Sequence, residues 1–456
     1  MFYWYKISTV CFAFLSNLEP QHANHKWLDR TLLPCEWFRG GWTLQELIAP
    51  EVVEFYDREW NFRGTKAFLR QEIADVTGID AAVLDDSSLL HTVCVAKRMS
   101  WAAYRETTRE EDRAYSLLGI FDVNMPTLYG EGAKAFVRLQ EEIMKTTNDL
   151  SLFAWTTQLE TRGDLQPSYP DRHQGLRGVL ARSPSEFAKY RNVERARSHI
   201  HNREFTITNN GLRIQAFLAK GEDKSYILGL DTTDKSDLTG YAEERIGIRL
   251  IKTPTGFVRF LSDRLCLLKT AEAQFGHSPT IYIQKDITLE EAKRLPKQFI
   301  QLHIQLPSHY RLGSVDANLR SLWDAHREMV TVVSGGSFLS FFNLKVTDST
   351  SIGVADLVVF CGLEGSGTKL IPWGVVYGDD VFNKHSRELM DMVTKYRNRQ
   401  EEEIEMHLIR QLIFSGNLKN RSVEDMQRLT DQKLLLHKKS ATNIQISVRE
   451  NGGSTE

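Results

Sequence analysis

Net charge is nearly absent from this chain. Fifty-seven Lys and Arg face 59 Asp and Glu, a balance of -2, so no global basic field points to nucleic acid or to an anionic membrane surface. Cysteine is scarce as well. Cys11, Cys35, Cys94, Cys266 and Cys361 stand far apart, in odd number and without a C-x-x-C pair. That pattern is unlike the dense disulfide framework of small secreted domains and makes a reducing cytoplasm the simplest compartment. Long hydrophobic runs are missing too. The apolar start, MFYWYKISTVCFAFLSNL, is uninterrupted only from Val10 to Leu15, too short to span a bilayer. Without a basic n-region or a small-residue cleavage site it reads as buried structure, a signal peptide being the alternative.

What is present is the composition of an ordinary soluble globular protein: 456 residues, 41% hydrophobic and 25% charged, enough for two or three domains. Residues 1–155 alternate helix and strand. Val10 to Leu15 suits a fully buried strand closed by the turn-like Asn17 to Pro20 stretch. Thr43 to Ala49 suits a short helix stopped by Pro50, and Val53-Glu54-Phe55 alternates as a strand does. Strand, helix, strand implies a parallel α/β unit. A helix from about Thr65 places Leu69, Ile73 and Val76 on one face and closes at Gly78. Thr107 and Glu110 have the spacing of a capping box ahead of Ala114, Leu117 and Leu118. A further helix from about Ala133 aligns Phe136, Leu139 and Ile143.

Beyond about residue 180 the period changes to alternation. Phe205 to Thr208, Asn209-Asn210-Gly211 and Leu212 to Gln215 make a hairpin signal. Ile246 to Leu250 and Phe257 to Phe260, around a turn at Thr253 to Gly256, repeat it. Strand-like runs recur at Thr280 to Ile283, Phe299 to Leu306, Met329 to Val333, Leu357 to Cys361 and Gly374 to Tyr377. Residues 180–380 therefore read as a mainly antiparallel β domain. Residues 385–456 read as a highly charged helical segment ending in the unstructured NGGSTE.

The sharpest local motif is Trp37-Phe38-Arg39-Gly40-Gly41-Trp42-Thr43-Leu44-Gln45-Glu46-Leu47. It admits two readings. Thr43 is an N-cap with Glu46 as its capping-box partner, or Glu46 faces a cleft at the end of an α/β sheet and acts on a sugar or nucleotide. Asp112 and Arg113, beside Tyr115, suit solvated or interhelical ion pairs over packed aromatics, or else part of a pocket wall, and Leu128 to Gly132 suits a turn into the Phe136 helix. Gly362 to Lys369 resembles a phosphate-binding loop only superficially: Thr precedes Lys and strand-like residues follow, so a hairpin loop is expected. His22, His25 and Cys35 do not make up a tetrahedral metal site, and no metal is expected.

The stretch GWTLQELIAPEVVEFYD, followed by VAKRMSWAAYRETTREEDRAYSLLGIFDVNMPTLYGEGAKAFVRLQEEIMKTTNDLSLFAW, resembles the heterokaryon-incompatibility (HET) domain of fungi across roughly residues 1–155. RGVLARSPSEFA and FTITNNGLRIQ resemble the region that often trails that domain. The resemblance implies a cytoplasmic protein of non-self recognition that triggers programmed cell death through other signalling proteins of the pathway, or through self-association. It implies a fold similar to Toll-receptor-like (TIR) domains: a doubly wound α/β sheet with a helical second half, followed here by the β-rich domain and the charged tail.

Some TIR domains cleave NAD with a glutamate in a Trp-x-Leu-x-Glu-Leu setting, matched by Trp42, Leu44, Glu46 and Leu47. Carried over, Glu46 would stabilise the oxocarbenium-like centre, with Trp42 and Arg39 against the nucleotide and NAD as the substrate. Two departures stand beside this. The family's opening strand precedes the region that starts at Met1, so an incomplete domain and pocket are expected, and an inactive homologue is the further alternative. The position before the Gly-Trp pair, commonly Arg in the family, is Gly40.

Overall fold

The computed structural model describes residues 1–20, 35–157, 176–196, 204–216, 218–234, 245–253, 255–268 and 279–295. Further on it describes 299–305, 310–317, 323–324, 326–327, 329–331, 338–348, 354–364, 371–378 and 445–450. These fall into two compact units, Met1–Thr288 and Leu289–Glu456. Among the described residues no helix is long and apolar enough to cross a membrane.

The first unit opens with helix α1 (Phe2–Lys6), strand β1 (Cys11–Phe14), helix α2 (Thr43–Ile48), β2 (Val53–Tyr56) and β3 (Phe62–Thr65). β1 runs parallel to β2, with Cys11 opposite Val53 and Phe14 opposite Tyr56, and β3 returns antiparallel. The strand, helix, strand unit therefore forms as expected. One detail differs: β1 is not fully buried. Ala13 and Leu15 enter the core while Phe12 is 59% exposed, because alternation sends every second side chain to the sheet's outward face. Outward-facing rings join across this face, Phe12 with Tyr56 and Phe14 stacked on Trp60.

Buried Leu44, Leu47 and Ile48 lie at i, i+3, i+4 of α2; burying each such side chain contributes about 1.5–3 kcal/mol. Next come α3 (Arg70–Thr77), α4 (Ala81–Asp85), α5 (Val95–Ser100), α6 (Asp112–Tyr115), α7 (Leu118–Phe121) and α8 (Lys134–Thr146). α3 closes at Gly78 with φ 72°, as its spacing predicts. Phe136, Leu139 and Ile143 are the buried face of α8. The capping box at Thr107 does not form. Its hydroxyl donates to the Arg109 carbonyl, and the helical stretch begins only at Asp112. The cause is an isolated bridge that draws Glu106 into extended pairing with Gly40.

The rest of the unit is β4 (Val193–Arg195), β5 (Phe205–Thr208), β6 (Gly211–Gln215), β7 (Leu218–Lys220), β8 (Tyr226–Gly229), β9 (Thr232–Asp234), β10 (Arg245–Thr253), β11 (Gly256–Arg259), β12 (Cys266–Leu268) and β13 (Thr280–Ile283). Eight of them share one sheet in the order β5-β6-β13-β11-β10-β8-β7, with β12 also on β10. Both predicted hairpins are present, Thr208 facing Gly211 and Thr253 facing Gly256; β11 and β13 alone in this sheet pair parallel.

Described residues of the expected regions 1–155 and 180–380 are joined within the first unit, Met1–Thr288. Trp155 Nε1 donates to the Val179 carbonyl at 2.9 Å, and Gln140 exchanges two hydrogen bonds with Ala181. One hydrophobic cluster runs from Ala13 to Ile283.

The second unit has a helix, α9 (Leu289–Arg294), and strands β14 (Phe299–Gln305), β15 (Tyr310–Ala317), β16 (Trp323–Asp324), β17 (Met329–Thr331), β18 (Phe338–Asp348), β19 (Val354–Glu364), β20 (Ile371–Gly378) and β21 (Gln445–Glu450). They form two four-stranded sheets, β16-β17-β14-β21 and β15-β18-β19-β20. β19 and β20 pair antiparallel from Glu364 opposite Ile371, flanking the glycine-rich stretch as a hairpin requires. Residues 385–435, read as helical, lie outside the described residues. Gln445–Glu450, read as part of the charged tail, is a strand paired with β14.

Candidate functional site

The glycine pair ahead of α2 is held from both sides. The Gly41 amide donates to the Glu106 carbonyl at 2.9 Å and the Glu106 amide to the Arg39 carbonyl at 2.6 Å. A side chain at Gly41 would put its Cβ 2.4 Å from Thr107 Cγ2, inside van der Waals contact. Glycine is required there by close approach.

Thr43 does not cap α2. Its hydroxyl lies 2.5 and 2.8 Å from the Trp37 and Gly40 carbonyls, Trp42 occupies the N-cap without a side-chain bond, and Glu46 does not reach back. Instead Glu46, half-buried, accepts the Tyr5 hydroxyl proton at 3.0 Å. Burial, then the Glu46 charge and this hydrogen bond, push the Tyr5 phenol up to about 12. The same charge reaches the Cys11 thiol, which burial chiefly raises. Cys11 begins β1, so Glu46 sits toward the amino end of the strand rather than at the carboxyl end where open sheets bind ligands.

Arg39 is exposed and Trp42 half-buried. The guanidinium at the glycine turn belongs to Arg105. Its Nε donates to the Trp101 carbonyl at 3.2 Å, and its Nη1 to the Gly40 carbonyl at 2.8 Å and Thr43 Oγ1 at 3.0 Å. Nη2 is buried and has no hydrogen-bond partner among the described residues. Burial lowers this guanidinium to about 9, with Glu46 opposing the shift, so it stays charged at neutral pH.

Beside it opens a cleft of about 140 Å³, lined among others by Gly41, Arg105, Arg113, Ser116, Ser183 and Ser185. Gly41 is thus the one member of the motif on the cleft wall; Arg39, Trp42 and Glu46 do not line it. Sequence reasoning missed Arg105 and Tyr5, since no local pattern joins them to a turn 62 to 65 residues away or to a glutamate 41 residues away.

By sequence, Asp112 and Arg113 suit solvated or interhelical ion pairs, or a pocket wall; Arg113 is exposed and lines the cleft. Asp112 accepts from the Tyr129 hydroxyl at 3.0 Å, and the next acid, Glu111, accepts the amides of Gly130 and Gly132 at 2.6 and 3.1 Å. The Glu111 backbone amide first, and then those of Gly132 and Gly130, lower the pKa of its carboxylate. Tyr129 to Gly132 therefore forms the expected turn into α8, fixed by Glu111. Among the described residues no three His, Cys, Asp or Glu side chains are grouped so as to hold a metal ion; His22 and His25 lie outside those residues.

Residues 134–220, from α8 to β7, match a family described as "Domain of unknown function (DUF8212)". The chain is also similar to the vegetative incompatibility protein HET-E-1 of Podospora anserina, 45% identical over 152 residues, which cover 32% of this chain and 11% of that protein. This chain therefore matches only about a tenth of the length of that relative. No solved structure matches. Over the shared stretch the chain is related to a fungal vegetative incompatibility protein.

Proposed function

We propose that this chain acts in fungal non-self recognition, as a HET-related protein that signals programmed cell death. The observation that carries the reading is the 45% identity to HET-E-1 over 152 residues. It is supported by the fold around the motifs that carry the family resemblance: the GWTLQEL helix α2, the segment bearing Arg105 and helix α8 all bury side chains in one core. The reading includes a cytoplasmic setting, a TIR-like character for the α/β part, and partners among other proteins of the incompatibility pathway or further copies of the chain. Inducible expression in a filamentous fungus, followed by vital staining of hyphae, tests it. Loss of viability is the expected result; hyphae that grow as the uninduced control would count against it.

A second reading, cleavage of NAD by Glu46, draws support from one observation: the carboxylate is not engaged in a capping box and is held by Tyr5. Purified protein and its Glu46→Ala variant incubated with NAD decide it. Nicotinamide release that is lost in the variant is the expected outcome; equal turnover in both removes Glu46 from the chemistry.

A further inference from the structure

The cleft at the glycine turn carries positive charge and hydroxyl groups but no carboxylate. Arg105, Arg113, Thr107, Ser116, Ser183 and Ser185 line it, with the Thr107 hydroxyl donating to the Arg109 carbonyl and the Ser185 hydroxyl to Ser183. Asp112 is engaged with Tyr129 and Glu186 with Arg177; Glu46, which accepts from Tyr5, lies off the wall and its charge favours the charged form of Arg105. Glu106 is exposed and off the wall. A buried guanidinium ordinarily has its donors satisfied, because each unsatisfied donor costs about 1–3 kcal/mol. Arg105 has Nη2 unsatisfied among the described residues. Arg113, on the lip, is exposed. Ser183 Oγ accepts from the Ser185 amide at 3.3 Å and the Ser185 hydroxyl at 3.0 Å, which leaves its own proton to donate outward. Planar guanidinium forks and hydroxyl donors are the groups that recognise tetrahedral oxyanions.

We propose that this cleft binds a phosphoryl group, gripped by Arg105 and Arg113 and oriented by the Ser183 hydroxyl. A volume of about 140 Å³ lies below the roughly 300–1,000 Å³ of pockets that enclose drug-sized ligands. The cleft therefore holds one phosphoryl group, and the remainder of an ester extends past Arg113 into solvent. The site goes beyond the signalling reading and is separate from Glu46, which is not on its wall.

Phosphorus NMR and titration calorimetry on the full chain test the proposal, with inorganic phosphate, adenosine 5′-monophosphate and adenosine as probes. Phosphate and the monophosphate are expected to bind and adenosine not to. Equal affinity for the first two identifies the free ion as ligand, and tighter monophosphate binding identifies an ester. Arg113→Ala, at an exposed position, is expected to weaken binding roughly tenfold, the loss of one charge-assisted contact. Arg105→Lys keeps the charge and loses the fork, with a similar loss expected. Arg109→Ala, whose guanidinium stacks on Tyr129 off the wall, is the control and is expected to bind as the parent does. Circular dichroism checks the fold of each variant. If Arg105→Lys does not fold, Arg113→Ala decides alone. No phosphate binding by the parent chain, unchanged binding in Arg113→Ala, or an equal loss in Arg109→Ala would overturn the proposal.

Discussion

A single proton couples Glu46 to the first helix. The Tyr5 hydroxyl at 3.0 Å fixes the carboxylate, and the partly buried setting keeps water from replacing that bond at no cost. A double-mutant cycle with Tyr5→Phe and Glu46→Gln is expected to give a coupling of about 0.5–1.5 kcal/mol, read from urea denaturation midpoints. Additive effects would show that the pair contributes nothing to stability. Lys66 offers a second measurement at this scale. The residue is 3% exposed, its ammonium donates to the Pro50 carbonyl, and burial lowers that group to about 8 from 10.5. A lysine with a depressed folded pKa binds fewer protons folded than unfolded between those values. Its contribution therefore becomes more favourable as pH rises from about 8 to 10.5. Burial raises the Cys35 and Cys94 thiols to about 11, so their contributions fall above pH 9, and the prediction concerns the difference between parent and Lys66→Met. Thermal melts are expected to show the parent gaining on the variant through that window. A constant difference would mean that Lys66 titrates normally.

At the scale of elements, the packing of the Gly40–Gly41 turn against the Arg105 to Thr107 segment is a steric fit with a specific repair. Gly41→Ala puts a methyl 2.4 Å from Thr107 Cγ2 and is expected to cost about 1–3 kcal/mol, the range for overpacking. Thr107→Ser removes that methyl, and the double variant is expected to recover most of the loss in urea midpoint. Failure to recover would place the strain in the backbone instead. This turn also marks how far the sequence could be read. α3, α8, the β5–β6 and β10–β11 hairpins and β13 follow from hydrophobic period and turn residues, because those signals act between near neighbours. The capping boxes at Thr43 and Thr107 have the correct spacing, yet both hydroxyls are taken by carbonyls, Trp37 and Gly40 for one and Arg109 for the other. Long-range pairing sets those choices. For the same reason the motif located the turn and Gly41 of the cleft, while Arg105 and the serines of the far wall came only with the fold. The exposed rings of β1 follow from alternation onto the outward face of its sheet, which hydropathy alone does not reveal.

At the scale of the first unit, helical and β-rich parts are locked through one aromatic residue. Trp155 is fully buried; Arg259 stacks 3.8 Å from its ring centroid, donating from Nη1 to the Phe153 carbonyl at 3.0 Å and from Nη2 to the Trp155 carbonyl. Around them the Val179 amide donates to the Gln284 carbonyl, and Lys285 pairs with Glu141 of α8 at 2.8 Å. Arg259 lies on β11 within the large sheet, so it ties that sheet to the end of the helical part. Its guanidinium, lowered to about 9 by burial, is held by carbonyl dipoles and the ring face in place of a carboxylate. Replacing it with Met keeps volume but orphans two carbonyls. Because hydrogen bonds to charged groups contribute about 1.5–3 kcal/mol each, the expected loss is about 3 kcal/mol or more. If the lock makes one cooperative body of Met1–Thr288, hydrogen exchange in Arg259→Met will show the amides of α8 and of β10 losing protection by the same amount. Loss confined to β10 would instead show that the helical part holds itself together, and that the shared core around Trp155 joins two separately stable bodies.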